Sequence, residues 1–424
     1  GRNDCDYTNT DKTAVRQSTK YWATTGSNCS SGLQEKWDAT HLNYCGYYAF
    51  DFTDTPGSDP SFKWTLKPTA TEAPYLGEPW STISPGRVKI AGMERWIGVI
   101  GGGYNGELAS ADKRGKGIIV FDLRDGTPIW SYTYSDNANM NYSIASQVTL
   151  VDSDNDNYID RAYVGDIKGD MWQLKFCTKA ELTSNPSCGT SSWKGSLLLT
   201  LDGGSDKFPV YYPPNLAWDS NKNLWLYWAT GDKIDPNGGG PAAWVYGLKA
   251  LLCTNTDGTP KPCARDFANI TSEENTYCGE TTTGTVGWAI NLAGQGEQVL
   301  SQPTAFNKVL YFTSFTPSLG SSADCTKTGQ SNLYALSIDP GTSESTCTAG
   351  KGLIDSLGAR SQPIGAGIAS GATISYGPGG STPNLYYTVS GAGGQEGGTL
   401  LSDFVVPAPG NLTNTLFWKD RRLE

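Results

Sequence analysis

Short β-type runs bounded by turn residues recur along most of this chain. Each run is rich in β-branched and aromatic residues and is flanked by Gly, Asp, Asn or Pro, which is typical of strands that end in tight turns. The runs cover residues 95–100, 117–121, 161–164, 170–174, 224–228, 309–313, 332–336 and 384–389. No strongly amphipathic helix interrupts them, so the sequence predicts an all-β protein.

Neighbouring runs form a degenerate repeat, in which a strand, a Gly-containing turn and a second strand follow one another. Copies occupy residues 163–174, 100–130 and 311–342. A unit of about four short strands is what a propeller blade needs, because each blade buries its faces against its neighbours. We therefore predict a β-propeller, with repeats too divergent to give its number of blades. A β-sandwich is the alternative fold.

The composition changes near residue 75. Residues 1–75 are polar and turn-rich, and we predict an irregular N-terminal segment that covers or leads into a propeller formed by residues 76–424. The chain begins with Gly1 and has no signal-peptide pattern, from which we expect a mature or trimmed chain.

The charge and the hydropathy of the chain argue against nucleic-acid binding and against a membrane span. The formal net charge is -10, and the phosphate backbone of a nucleic acid would repel an acidic chain. The longest apolar stretches, such as residues 117–121, are far shorter than the ~20 residues that span a bilayer. We therefore expect neither nucleic-acid binding nor a membrane span in this chain.

The sequence has ten cysteines, an even number. Spacing suggests three disulfides that staple loops: Cys177 with Cys188, Cys253 with Cys263, and Cys325 with Cys347. Pairing is left open for the other four, which are Cys5, Cys29, Cys45 and Cys278. Because there is no Cys-x-x-Cys motif and only one histidine, zinc and c-type haem are poorly supported. Disulfides predict an oxidising, extracytoplasmic location.

Residues 152–160, here called the acidic loop, are the most specific feature of the sequence. Its carboxylates are Asp152, Asp154, Asp156 and Asp160, at positions 1, 3, 5 and 9 of an EF-hand loop. Position 7 is Tyr158, whose backbone carbonyl is free to bind the ion. The pattern predicts a Ca²⁺ site, since Ca²⁺ prefers six to eight oxygen ligands.

Three features separate this loop from an ordinary EF-hand. Position 6, usually Gly, is Asn157, which tolerates a positive φ next best. Position 12 is Tyr163 instead of a bidentate Glu, so Asp160 must contribute more to coordination. The flanking residues 146–151 and 161–164 have strand patterns, which predicts an EF-hand-like calcium loop inserted in a β-structure. The alternative is an acidic, solvated turn without an ion.

Other candidate sites carry weaker signals. The turn at residues 231–238 has two carboxylates, and its Pro and Gly residues favour a plain turn over a second ion site. We predict that Trp96, Trp225 and Trp228 pack in or between blades and do not form a sugar-binding platform. His41 is the only histidine, which leaves little basis for a Ser-His-Asp or Cys-His arrangement, and we expect no enzyme activity.

Several motifs occur together in one order. They are residues 76–80, 100–105, 119–123, 152–166, 287–292, 296–300 and 311–317. With these motifs, residues 76–420 resemble the PilY/PilC family of type IV pilus tip proteins. The resemblance implies a modified β-propeller, quinoprotein-like with about seven blades and one inserted EF-hand-like calcium loop. The implied calcium ligands are Asp152, Asp154, Asp156, the carbonyl of Tyr158, and Asp160.

The same resemblance implies a function, partners and a location. The function is type IV pilus assembly, calcium-dependent control of retraction and twitching motility, and adhesion to surfaces or host cells. The implied partners are minor pilins at the pilus tip and a host-cell or surface receptor. The implied location is extracellular or at the cell surface, at the pilus tip or outer membrane.

Two other functions remain as alternatives. The module at residues 117–130 resembles the repeats of quinone-cofactor dehydrogenases, although no Cys-Cys pair occurs and the calcium loop is self-contained. The aromatic content, 11% of the chain, is compatible with a carbohydrate-binding lectin.

Overall fold

The computed structural model describes most of the chain between residues 46 and 390. The described residues are 46–53, 61–106, 112–200, 209–238, 240–253, 267–272, 275–278, 285–318, 329–340, 347–355, 357–376 and 383–390. The backbone of three short strands outside these ranges is also described, at Ala23–Thr24, Leu33–Gln34 and Ser402–Val405.

Strands dominate the described residues. They are β1 (Ala23–Thr24), β2 (Leu33–Gln34), β3 (Tyr48–Asp51), β4 (Ser61–Thr65), β5 (Ser84–Ile90), β6 (Met93–Gly101), β7 (Gly117–Asp122), β8 (Pro128–Thr133), β9 (Thr149–Val151), β10 (Arg161–Gly165), β11 (Met171–Lys175), β12 (Lys194–Leu199), β13 (Asn215–Trp218), β14 (Leu224–Ala229), β15 (Trp244–Lys249), β16 (Phe267–Asn269), β17 (Gly287–Asn291), β18 (Thr304–Phe306), β19 (Val309–Thr316), β20 (Gln330–Ser337), β21 (Ser361–Ala366), β22 (Thr373–Tyr376), β23 (Pro383–Tyr387) and β24 (Ser402–Val405). Every β-type run singled out in the sequence overlaps one of these strands.

Helical structure is confined to short segments among the described residues. The α-helix α1 covers Lys179–Ser184, and 3₁₀ turns cover Ala73–Tyr75, Thr190–Ser192 and Ala250–Leu252. The prediction of an all-β protein is therefore confirmed. Within the same residues, no helix is long and apolar enough to cross a membrane.

In the described part of the chain, five sheets of three to five strands follow one another. The first sheet has the order β5-β6-β7-β8, the second β12-β11-β10-β9, the third β13-β14-β15-β17-β16, the fourth β18-β19-β20-β21, and the fifth β22-β23-β24. Neighbouring strands are antiparallel, except that β16 pairs in parallel with β17. Two hairpins, β1-β2 and β3-β4, precede them.

Each of these sheets packs against the next one. Val120 of the first sheet and Trp172 of the second share one fully buried cluster. Trp288 of the third sheet and Phe312 of the fourth share another. Other clusters join the second sheet to the third and the fourth to the fifth. A series of sheets in sequential contact is propeller-like, whereas one interface between two sheets forms the core of a sandwich.

The hairpin β3-β4 lies within the segment that the sequence predicted to be irregular. Trp64 packs edge-on against Phe121 of the first sheet, with ring centroids 5.7 Å apart. Its indole Nε1 donates a hydrogen bond of 2.8 Å to the carbonyl of Leu123. Two strands, Tyr48–Asp51 and Ser61–Thr65, therefore make this segment more regular than predicted, because Trp64 docks the hairpin on the first sheet. The domain boundary near residue 75 stays a prediction.

The structure confirms one predicted disulfide and corrects another. Cys177 is bonded to Cys188, as predicted. Cys347 is bonded to Cys278, so its predicted pairing with Cys325 was wrong. Pairing between Tyr277 and Ala349 brings the two segments together, with a hydrogen bond of 2.9 Å from Tyr277 N to Ala349 O.

The other cysteine predictions fall wholly or partly outside the described residues. Cys253 is disulfide-bonded, and its predicted partner Cys263 lies outside them. Also outside are Cys5, Cys29 and Cys45.

The three tryptophans predicted to pack in the core differ in exposure. Trp225 and Trp228 are fully buried, which confirms the prediction for both. Trp96 is 51% exposed on β6, so the prediction was wrong for this residue. Trp96 lies in the first half of β6, where Met93 and Glu94 are exposed as well, and the strand becomes buried only from Ile97 onward.

Candidate metal centre

The acidic loop connects β9 to β10 in the second sheet. Two of its residues, Asn155 and Asn157, have positive φ angles of 63° and 69°. Asparagine tolerates this left-handed conformation better than most residues, because its short polar side chain bonds locally. Asn157 is the sixth residue of the loop, where the sequence predicts a positive φ.

Three carboxylates of the loop converge. Asp152, Asp154 and Asp156 each present an oxygen, and these oxygens lie within 4.8 Å of one another. No other group of three potential ligands of this kind occurs among the described residues. The structure thus brings together the first three of the predicted ligands.

Backbone N–H groups hold the loop around Asp152. Its Oδ1 accepts hydrogen bonds of 2.7 Å from Asn155 N and 3.2 Å from Asp156 N. Its Oδ2 accepts a hydrogen bond of 2.7 Å from Asn157 N. Asp156 Oδ1 in turn accepts one of 2.9 Å from Tyr158 N. These bonds fix the curvature that points the carboxylates at a common centre.

Asp154 has an unusual environment for a carboxylate. Its Oδ2 accepts a hydrogen bond of 2.6 Å from Lys179 N, whereas its Oδ1 is buried without a hydrogen-bond partner among the described residues. Burial raises the pKa of Asp154, and the charges of Asp160, Asp156 and Asp152 raise it further. A buried oxygen that lacks a donor and faces like charges is stabilised by a cation.

Asp160 is only 1% exposed, and its carboxylate is hydrogen-bonded to Ser153 near the start of the loop. It accepts hydrogen bonds of 2.7 Å from Ser153 N and 2.5 Å from Ser153 Oγ. Burial raises the pKa of Asp160, and the bonds from Ser153 oppose this rise. These hydrogen bonds stabilise the loop. Direct coordination of an ion by Asp160 stays a prediction.

Tyr158 joins the loop to the first sheet through its side chain. Its hydroxyl donates a hydrogen bond of 3.1 Å to Glu94 Oε2. Arg87 Cζ and Lys89 Nζ lie 4.9 Å and 4.4 Å from the centroid of its ring. The role of its backbone carbonyl as a ligand stays a prediction. Tyr163, at position 12, is buried on β10 and its exposed fraction is 1%.

Two neighbouring elements anchor the acidic loop. On one side, Arg87 donates to the carbonyl of Asn157 from Nε at 3.2 Å and Nη2 at 3.1 Å. Its own carbonyl accepts a hydrogen bond of 2.7 Å from Ile159 N. On the other side, Lys179 N, which contacts Asp154, lies in the first turn of α1.

The helix α1 is itself held in place. Thr178 and Glu181 form a capping box at its start. The disulfide between Cys177 and Cys188 closes the segment that contains it. The loop is therefore fixed between strand β5 of the first sheet and a stapled helix.

These residues fit a hard divalent cation. The donor set consists of carboxylate oxygens, which Ca²⁺ prefers, and no hydrogen-bond donor in the described part of the chain reaches the buried Oδ1 of Asp154. Asp152, Asp154 and Asp156 would hold the ion, and its charge would offset their mutual repulsion. Such an ion would supply charge neutralisation and rigidity at this loop.

The other predicted features have plainer structures. In the turn at residues 231–238, Asp232 Oδ1 accepts hydrogen bonds from Ile234 N at 2.9 Å and Asp235 N at 3.3 Å. These bonds close a turn, and the preference for a plain turn over a second ion site stays a prediction. His41 lies outside the described residues.

Comparisons with known proteins add the following. No family model matches the chain. A curated relative, the type IV pilus biogenesis factor PilY1 homolog of Xylella fastidiosa, is 22% identical over 282 residues, which cover 58% of this chain. The match spans only 18% of that relative's length.

Solved structures show the fold. The crystal structure of the Pseudomonas aeruginosa PilY1 C-terminal domain matches with a TM-score of 0.57 and 16% identity, over 85% of this chain and 79% of that domain. The quinohemoprotein alcohol dehydrogenase of Comamonas testosteroni reaches a TM-score of only 0.33 at 10% identity, over 77% of this chain and 47% of its own. The resemblance that the sequence motifs indicate is confirmed, and the fold is that of a PilY1-type C-terminal domain.

Proposed function

We propose, from the resemblance of this chain to the PilY/PilC family in sequence and fold, that it is a calcium-binding domain acting in type IV pilus biogenesis. The observation that carries the proposal is the convergence of Asp152, Asp154 and Asp156 within 4.8 Å. The carboxylates sit in a loop whose order matches an EF-hand, on a fold shared with a PilY1 domain. The relative's name supports the link to the pilus.

Calcium would act by fixing the acidic loop. Without a cation, the charges of Asp152, Asp156 and Asp160 oppose ionisation of Asp154. With a bound cation, the carboxylates are held close to one another, and the contacts of the loop to Arg87 and α1 are reinforced. The first and second sheets would then present one rigid surface to the pilus machinery. We propose that calcium controls retraction and twitching motility through this difference between the calcium-bound and the calcium-free loop.

The finer parts of the proposal follow the family. The domain would contact minor pilins at the pilus tip, with Asp160 and the Tyr158 carbonyl as further calcium ligands. It would lie outside the cytoplasm, at the tip or outer membrane, and would take part in adhesion to surfaces or host cells. The disulfides Cys177–Cys188 and Cys278–Cys347 support an oxidising compartment. A propeller of about seven blades without enzyme activity completes the proposal.

The test is a double substitution, Asp152→Ala with Asp160→Ala. We expect calcium binding, measured by calorimetric titration of metal-stripped protein, to be lost while the far-ultraviolet circular dichroism spectrum is retained. The matched control is Asp125→Ala with Asp355→Ala, which removes two aspartates from other turns. This control should bind calcium as the parent does.

The pilus role needs a second readout. In the source bacterium, the full-length gene carrying the Asp152→Ala and Asp160→Ala pair should assemble pili whose twitching no longer responds to calcium. The control pair should restore the response. Parental calcium affinity in the double variant would reject the loop as the site, and unchanged calcium-responsive motility would reject its role in the pilus.

A further inference from the structure

A cavity of about 310 Å³ is lined by loops of the first three sheets and by the segment that connects the third sheet to the fourth. We call it the inter-sheet cavity. Tyr104, which follows β6, lines one side, and Tyr211, which precedes β13, lines another. The connection between β14 and β15 adds Asp232 and Asp235, and Gln298 comes from the segment before β18. None of these residues belongs to the acidic loop.

Hydrogen bonds between sheets build the wall of the inter-sheet cavity. Ile167 N donates to Ser143 O at 3.0 Å, and Gly231 N donates to Pro209 O at 3.0 Å. Ala243 N, which also lies at the cavity, donates to Glu297 O at 2.7 Å. Because main-chain bonds fix these segments, the cavity is preformed, and a ligand would not have to order it.

An aromatic group supports one side of the cavity. Tyr104 stacks on Trp80, with ring centroids 4.5 Å apart and an angle of 22° between the planes. Tyr211 lies 6.5 Å from Tyr104 and 6.1 Å from Trp80. Lys233 Nζ lies 5.4 Å from the centroid of Trp80. The stack holds the ring of Tyr104 in a fixed orientation, so a ligand that binds against it would immobilise few additional rotamers.

The lining of the cavity is rich in hydrogen-bond acceptors. Asp232 Oδ1 binds the N–H groups of its own turn, whereas no donor among the described residues reaches its Oδ2 or the carboxylate of Asp235. Burial raises the pKa of Tyr211, and the neighbouring Asp232 raises it further, so this phenol stays a proton donor. No lysine or arginine lines the cavity among the described residues.

We propose that the inter-sheet cavity is a binding site for a neutral saccharide. The apolar C–H face of a sugar ring fits against a fixed tyrosine ring, and sugar hydroxyls donate to carboxylates and accept from a phenol. Two carboxylates without a lining cation disfavour phosphates, carboxylates and other anions. A volume of about 310 Å³ holds one or two sugar units.

The test begins with an array of neutral mono- and oligosaccharides, probed with the whole chain in EDTA so that the acidic loop plays no part. The best ligand is then titrated by calorimetry. Asp235→Asn, whose exposed carboxylate has no bond to lose within the described structure, should weaken binding about tenfold, as expected for a hydrogen bond to a charged group. Tyr211→Phe tests the phenol in the same way.

The controls are Trp96→Ala and Asp125→Asn, an exposed aromatic and an exposed acidic residue outside the cavity. Both should bind the saccharide as the parent does. Two results would overturn the proposal: no saccharide on the array binds, or the ligand binds equally well to Asp235→Asn and Tyr211→Phe. Saturable binding of tetramethylammonium in place of any sugar would also overturn it and assign the cavity to organic cations.

Discussion

The acidic loop and the inter-sheet cavity are built in opposite ways. All the carboxylates of the loop come from nine consecutive residues, 152–160, and main-chain bonds inside the loop orient them. The cavity takes its lining from residues as far apart as Tyr104 and Gln298. A local site depends on its own turn and its anchors, whereas an assembled site depends on the packing of every sheet around it.

This difference predicts that the two sites fail separately. Changes that loosen the packing between sheets should weaken the cavity and spare calcium binding. Changes near β5 or α1 should do the reverse, because these elements anchor the acidic loop.

The largest effect should come from the two disulfides that have both cysteines among the described residues. Cys278 and Cys347 are separated by 69 residues, and Cys177 and Cys188 by 11. Replacing each pair by serine should cost about 4 kcal/mol for the long loop and about 3 kcal/mol for the short one, since closing a longer loop restricts the unfolded chain more. Guanidinium unfolding measures both, and a greater loss from the short loop would contradict the prediction.

Gly103→Ala should damage the assembled site alone. Gly103 has φ +94°, and a Cβ there would lie 2.0 Å from the carbonyl oxygen of Glu78. The strain should destabilise the fold by roughly 1–3 kcal/mol and displace Tyr104. Calcium affinity measured by calorimetry should stay unchanged. Gly371→Ala, where a Cβ would make only ordinary contacts, the nearest at 3.4 Å, and which lies outside the cavity lining, is the matched control.

Ser153→Ala should weaken the local site by a smaller amount. The substitution removes the hydroxyl that donates to Asp160 Oδ2 and keeps the backbone donor to Oδ1. Losing a group that orients a metal site lowers affinity about tenfold or more. Ser187→Ala, an exposed serine near α1, should leave calcium affinity unchanged. Equal affinities in the two variants would show that Asp160 needs no support from Ser153.

The smallest effect should be a pH dependence of calcium stabilisation. Burial raises the pKa of Asp154 and Asp160 above their unfolded values. In metal-free protein their contribution to stability is therefore complete below the unfolded pKa and is lost as pH rises through the folded pKa. Bound calcium favours the ionised forms, so the gap in thermal midpoint between calcium-loaded and metal-free protein should widen from about pH 4 to pH 7. A constant gap would contradict this.

The local features could be predicted from sequence because their signals are local. Residues 224–228 contain only strand-forming apolar and aromatic residues, and they form the fully buried strand β14. The order of Asp152, Asp154 and Asp156 predicts their convergence, which needs only the turn itself. The short disulfide between Cys177 and Cys188 follows from spacing for the same reason.

The assembled features could not be predicted, since they depend on how distant segments pack. Cys347 pairs with Cys278 across intervening strands β17 to β20, although Cys325 is nearer in sequence. Strand β16 joins β17 in parallel, which no repeat pattern indicates. Tyr104 and Tyr211 line one cavity only because three sheets are in place. Tyr104 belongs to the motif at residues 100–105, but nothing local in the sequence links it to Tyr211 or to a cavity.

The most direct test of the calcium proposal is a calorimetric titration of calcium into EDTA-stripped protein, with the thermal midpoint followed in parallel. We predict binding of about one ion per chain and a raised midpoint, because the ion binds the folded loop and not the unfolded chain. No heat of binding and an unchanged midpoint would contradict the account, and Asp152, Asp154 and Asp156 would then form an acidic turn without an ion.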